Sequence, residues 1–174
     1  MGCDYPLAVT CERSLPADYD GPVFVSDIDK TYLATRFSSF EGLARIPVEF
    51  AVDKRAIAGM TEILRGVRRG PGPGFAAAPL YFVSSSPPQL RPVVERKMLL
   101  DGVQPDGFTF KDWARTLRAF RPGRLKEHIG FKLVALLQGR LSRPLSTEYL
   151  FGDNVEKDAD AYSLYSGLLS GRLQ

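Results

Sequence analysis

Val23-Phe24-Val25-Ser26-Asp27-Ile28-Asp29-Lys30-Thr31 is the stretch whose reading decides the fold. Its apolar, β-branched front half predicts a strand over residues 23–28. Two carboxylates, Asp27 and Asp29, stand two residues apart at the carboxyl end, where strand alternation sends both to one side. Like charges this close repel, so one takes up a proton or a cation bridges them. A pair in which one carboxylate stays ionised as a nucleophile and the other can carry a proton is an acid–base device. The plainer reading is a strand followed by an acidic turn, because Asp and Thr are common turn and cap residues.

Around this stretch the pattern alternates. Residues 1–21 are rich in Pro, Asp and Gly and read as an irregular lead-in. Residues 32–52 hold Phe37, Phe40, Leu43, Ile46, Val48 and Phe50 without regular spacing and read as a flap over the strand end. Asp53 reads as the N-cap of a helix carrying Ile57, Met60, Ile63, Leu64 and Val67, which Gly70 ends. A short apolar strand over 80–83 runs into Ser84-Ser85-Ser86-Pro87-Pro88. A helix follows, with Leu90, Val93, Val94, Met98 and Leu99, and stops near Gly102. Further strands are expected over 108–110 and 148–151, further helices over 129–141 and 158–169, and a basic irregular stretch over 111–127. Strands alternating with helices predict an α/β fold, a parallel sheet flanked by helices on both faces. The whole chain, residues 1–174, reads as one domain. Such sheets bind ligands at the carboxyl ends of their strands. Here those ends carry Asp27 and Asp29, Ser84, and Asp153.

Composition narrows the class. Hydrophobic residues make up 44% and charged residues 25%, as in soluble globular proteins. The net charge of +3 permits an anionic partner without demanding nucleic acid. No run is long and apolar enough to span a membrane, and residues 1–6 lack the basic and apolar regions of a secretion signal. Two cysteines, Cys3 and Cys11, point to a reducing compartment, hence a cytoplasmic location. The single histidine, His128, removes multi-histidine zinc sites and leaves any Ser/His/Asp triad resting on one residue. By itself it reads as a surface or capping residue. Nothing in the sequence sets an oligomeric state.

Gly152-Asp153-Asn154-Val155-Glu156-Lys157-Asp158 is a second acidic cluster. A hard cation such as Mg2+ takes oxygen ligands, often one or two carboxylates with waters and phosphate. Asp27 and Asp153 could supply them, with Asp158 a ligand or an orienting group. Taken alone, Asp153 is a turn or cap residue. Ser84, with neighbouring hydroxyls and N–H groups, could hold a phosphoryl oxygen at a helix start, or merely cap that helix. Lys132 interrupts an apolar helical stretch and could neutralise phosphate and crowded carboxylates. A snorkelling surface lysine is the alternative, Lys126 is a rival, and periodicity does not choose between them.

Taken in order, Asp27-Ile28-Asp29-Lys30-Thr31, Ser84, Lys132 and Gly152-Asp153 resemble the four motifs of the haloacid-dehalogenase (HAD) superfamily. The resemblance covers about residues 22–165 and is strongest to the phosphatidate-phosphatase branch, the lipin and actin-patch catalytic domains. Tyr81-Phe82-Val83-Ser84-Ser85-Ser86-Pro87 is similar to that branch's second motif, and residues 152–162, with Glu156, Asp158 and Tyr162, to its fourth. The resemblance implies a Rossmann-like HAD core and a Mg2+-dependent phosphatase working through an aspartyl-phosphate. Asp27 would be the nucleophile, and Asp29 the acid that protonates the leaving group and then the base that activates water. Thr31, Ser84 and Ser85 would bind the phosphoryl group, and Lys132 would stabilise its charge. Asp27, Asp29 through its backbone carbonyl, Asp153 and Asp158 would form the metal site. Lys30 and Asn154 depart from the family's usual residues; strand alternation points Lys30 away from the two carboxylates.

The gaps after the first and second motifs leave no room for a large cap domain. An open site favours a phosphate carried on a large partner, with phosphatidate in a membrane as the leading substrate. Lys111, Arg115, Arg118, Arg121, Arg124 and Lys126, interleaved with Trp113 and Phe120, could make peripheral contact with anionic lipid. A solvated basic face is the plain alternative, and the mild net charge disfavours nucleic acid. Two other functions compete: a non-catalytic phospholipid-binding domain on the same fold, and a phosphatase for a protein or nucleic-acid phosphomonoester. Retention of both Asp27 and Asp29 speaks against a pure binder.

Overall fold

Short apolar strands pair into one five-stranded sheet in the computed structural model of the chain, which describes residues 6–11, 13–34, 54–70, 72–74, 76–118, 128–155 and 157–173. The strands are β1 (Leu7–Cys11), β2 (Pro22–Asp27), β3 (Leu80–Ser84), β4 (Gly107–Lys111) and β5 (Thr147–Phe151), in the order β1-β4-β3-β2-β5. The last four in chain order run parallel, and β1 pairs antiparallel with β4 from Leu7↔Lys111 to Cys11↔Gly107. β1 corrects the reading of residues 1–21 as wholly irregular. Its five residues alternate too briefly to signal a strand locally; the open edge of β4 supplies the pairing.

The helices are α1 (Met60–Arg69), α2 (Arg91–Leu100, after a 3-10 turn at Pro88–Leu90), α3 (Trp113–Arg118), α4 (His128–Leu141) and α5 (Asp158–Leu169). Alternation along the strands sorts the core into two layers. Leu80, Phe82, Phe108 and Phe110 pack with Leu64 of α1 and Val94 and Met98 of α2. Val23, Val25 and Val83 pack on the other face with Phe131, Ala135 and Leu136 of α4 and Tyr165 of α5. The period 23, 25, 27 therefore delivers Asp27 to the α4/α5 face. In-register pairs place Val9, Thr109, Val83 and Asp27 in one row across that face.

Three local expectations change. The first helix starts at Met60, after Gly59 in a left-handed conformation (φ 81°), and not near Asp53, which lies outside the described residues. Ile57 instead donates its N–H to the Tyr32 carbonyl at 2.9 Å, tying that segment to the turn after β2. Of the expected flap over 32–52, Tyr32 and Leu33 are core residues, fully buried, while Phe37, Phe40, Leu43, Ile46, Val48 and Phe50 lie outside the described residues. The stretch 111–127 is not irregular throughout, since Lys111 ends β4 and α3 follows; residues 119–127 lie outside the description.

The amino ends of the strands are pinned by a partly buried ion pair. Arg68 of α1 holds both oxygens of Asp106, 2.9 Å from Nη2 to Oδ1, and Asp106 also accepts the Leu80 N–H at 3.0 Å. No helix among the described residues is long and apolar enough to cross a membrane.

Candidate active site

Asp27 is the last residue of β2 and is 1% exposed. Lys132 interrupts the apolar, sheet-facing part of α4; its Nζ lies 3.0 Å from Asp27 Oδ1 and also bonds Asp158 Oδ1. Asp158 is the first residue of α5 and is fully buried; its Oδ2 accepts the Asp153 N–H at 3.2 Å. Gly152 has to be glycine here. A Cβ would stand 2.5 Å from Asp158 Oδ2 and 2.8 Å from the Tyr162 ring, whose hydroxyl bonds the Phe151 carbonyl. Burial pushes the Asp27 carboxyl well above its ordinary range, opposed by Lys132 and reinforced by Asp158 and Asp29. Burial also raises Asp158. For Lys132 burial acts downward, but Asp27 and Asp158 overcome it and hold the ammonium above the usual lysine range. Tyr162 is likewise raised by burial and by these carboxylates.

Asp29 keeps different company. β2 has ended, and the chain turns tightly: Leu33 N–H reaches the Ile28 carbonyl at 2.8 Å and Lys30 N–H the Leu33 carbonyl at 2.7 Å. Lys30 takes a left-handed conformation (φ 61°) in that turn, so its direction is set by the turn and not by strand alternation. Asp29 Oδ2 accepts hydrogen bonds from Ser86 Oγ at 2.6 Å and Ser84 Oγ at 3.1 Å, and Ser84 Oγ accepts the Ser86 N–H at 3.0 Å. The loop after β3 is anchored from β4's side by Trp113, whose Nε1 donates to the Ser85 carbonyl at 2.9 Å.

The donor set fits a hard divalent cation. Carboxylate oxygens of Asp27, Asp153 and Asp158 lie within 4.8 Å of one another. Asp27 Oδ2 is buried without a hydrogen-bond partner among the described residues. Three carboxylates around one ammonium leave negative charge to be balanced in a buried site, and oxygen ligands suit Mg2+. The Asp29 carboxylate is not part of this group, being turned to the serines, which leaves its backbone carbonyl as the atom it could offer a metal.

The structure thus brings Asp27, Lys132, Asp153 and Asp158 together, with Asp29, Ser84 and Ser85 at the adjoining strand end. Lys126 lies outside the described residues. Ser84 lies at the expected strand end, but its hydroxyl is given to Asp29. The hydroxyls of Ser85 and Thr31 are buried and make no hydrogen bond among the described residues. Two residues join the site beyond those expected: Ser86, which the Ser-x-Ser spacing in 84–86 signals, and Trp113, which no local pattern marks. His128 is not a plain surface residue: it is half-buried at the start of α4, and burial lowers its pKa, with Lys111, Lys132 and Lys30 acting the same way. The basic stretch also changes. Lys111 is 1% exposed with its ammonium 5.9 Å from the Phe131 ring centre, and Trp113 is buried, so neither faces a membrane; Arg115 is exposed. The Arg118 side chain, Phe120, Arg121 and Arg124 lie outside the description.

A family model described as phosphatidate phosphatase APP1, catalytic domain, matches residues 23–170. No curated protein and no solved structure matches the chain.

Proposed function

The chain belongs to the phosphatidate phosphatase APP1 catalytic-domain family, and from that premise we propose that it is a Mg2+-dependent phosphomonoesterase that works through an aspartyl-phosphate, with phosphatidate in a membrane as substrate. The observation that carries this reading is Asp27: buried, with one oxygen paired to Lys132 and the other unpartnered beside Asp153 and Asp158.

One oxygen of the Asp27 carboxylate attacks phosphorus, and the lipid alkoxide leaves with a proton from Asp29. Water then attacks the acyl-phosphate and gives its proton back to Asp29. Inorganic phosphate departs and the Asp27 carboxylate is restored. Ser84 and Ser86 hold the Asp29 side chain in place, so its proton is delivered from one position. Thr31 and Ser85 offer the hydroxyls that receive phosphoryl oxygens. Lys132 keeps its charge beside the nucleophile and beside the charge that grows in the transition state. Asp27, Asp153, the Asp29 carbonyl and Asp158 would hold the cation, which supplies positive charge to the phosphoryl oxygens.

The described residues hold no large cap, which favours a phosphate presented at a surface. Arg115 and the cationic residues after it would supply attraction to anionic lipid, on the order of 1 kcal/mol each. On this proposal the protein makes peripheral contact with a membrane from its cytoplasmic side.

The test is phosphate release from phosphatidate vesicles with and without Mg2+, in the parent and in Asp27→Asn. The parent should turn over only with the cation, and acid quenching should trap a hydroxylamine-labile phosphoenzyme. Asp27→Asn should show neither. Full activity in that variant would overturn the mechanism, and turnover of soluble phosphomonoesters alone would overturn the substrate.

A further inference from the structure

On the face of the sheet that carries Asp27, a cavity of about 290 Å³ opens between α4 and the β1–β4 edge. Its walls are largely apolar, with Val9 from β1, Val83 from β3 and Ala135 and Leu136 from α4, while Thr10 and Gln138 add polar groups. Among the described residues, one charged group stands in this wall. Arg143 is 7% exposed; its Nε donates to Glu148 Oε1 at 2.9 Å and its guanidinium stacks 4.7 Å from the Tyr81 ring centre. Its two terminal nitrogens donate no hydrogen bond among the described residues. Gly139 makes this position possible, since a Cβ there would stand 2.7 Å from Arg143 Nη2.

Charge at this end is unbalanced. Glu148 is shared, with Arg143 at 2.9 Å, Arg140 at 3.9 Å and the Tyr165 hydroxyl also donating to it. One carboxylate between two guanidiniums leaves net positive charge beside an apolar chamber. A buried guanidinium with open donors matches a carboxylate in shape and charge. The volume is that of about ten waters, which suits a short hydrocarbon chain.

We propose that this cavity is a binding site for a single-chain anionic amphiphile, its carboxylate on the terminal nitrogens of Arg143 and its chain against Val83, Ala135 and Leu136. The site is separate from the Asp27 cluster, although both lie on one face of the sheet, and the inference does not rest on the proposed phosphatase activity.

Octanoate and octan-1-ol are the probes, titrated calorimetrically into the full chain at neutral pH. Octanoate should bind one to one and about tenfold more tightly than the alcohol, as expected for one charge-assisted contact. Thr109→Phe, which fills the cavity from β4, should abolish both. Arg143→Gln should erase the acid–alcohol difference while alcohol binding persists. Asp27→Asn should leave the octanoate affinity unchanged. Equal binding of acid and alcohol by the parent, no saturable octanoate binding, survival in Thr109→Phe, or loss in Asp27→Asn would each overturn the proposal. If Arg143→Gln does not fold because Glu148 loses its partner, the parent comparison and Thr109→Phe still decide.

Discussion

Replacing Lys132 with Met removes an ammonium that touches both Asp27 and Asp158. The side chain keeps its approximate length, so the change is mainly one of charge. At an effective dielectric of about 20, unit charges 3 Å apart interact by roughly 5–6 kcal/mol, which bounds each contact. Removing one partner of a buried pair typically costs about 3–5 kcal/mol, because the other charge stays buried and unpaired. A loss of about 4 kcal/mol is expected, a large part of the usual 5–15 kcal/mol. With a urea slope of about 2 kcal/mol/M, the midpoint should fall by about 2 M at neutral pH in the presence of EDTA. The pH dependence follows from sign. Burial raises the Asp27 and Asp158 carboxyls above their unfolded values, so the folded state binds more protons than the unfolded. Without Lys132 they rise further. Stability of the variant should therefore be greatest below the unfolded value, near pH 4, and fall as pH rises through the raised folded values. The gap between variant and parent should close toward acid. Lys132→Met/Asp158→Asn should recover part of the loss. A variant within about 1 kcal/mol of the parent at neutral pH, or a gap that widens toward acid, would refute the reasoning.

Asp29→Asn should retain the fold and lose about a hundred- to ten-thousand-fold in turnover, whereas Ser86→Ala, which removes one of the serine hydrogen bonds to Asp29, should lose only about three- to tenfold; steady-state kinetics showing equal losses would place Ser86 in the chemistry. Mg2+ should raise the melting temperature of the parent, by about 2.7 kcal/mol of stability at a hundredfold excess over Kd, and Asp153→Asn should blunt the shift; an unshifted parent would remove the metal site. Replacing Arg115, Arg118 and Arg121 with Gln should weaken binding to phosphatidate vesicles at low salt, while hydrolysis of a small soluble aryl phosphate stays near the parent rate. Arg68→Leu leaves Asp106, at the opposite end of the sheet, only the Leu80 N–H and a longer contact to Arg13, so denaturation should show a loss of about 1–3 kcal/mol with KM unchanged.

What local pattern could determine, the sequence determined: the α/β alternation, the boundaries of β2, β3 and the last helix, and the strand ends where Asp27, Ser84 and Asp153 stand. These follow from the period of apolar residues and from turn chemistry, both readable over a few neighbours. The choice of partners was decided only in three dimensions. Asp27 and Asp29, alike in spacing, part because β2 stops between them: Asp27 stays in the row that faces α4 and meets Lys132, while Asp29 enters a turn and meets Ser84 and Ser86. Lys111 looked like surface charge by composition, and β4 carries it inward onto Phe131. Arg143 carries no local sign that it lines a cavity. Periodicity reports which face of its own element a residue occupies. Which other element covers that face depends on strand order and packing, and these arise from contacts distant in sequence.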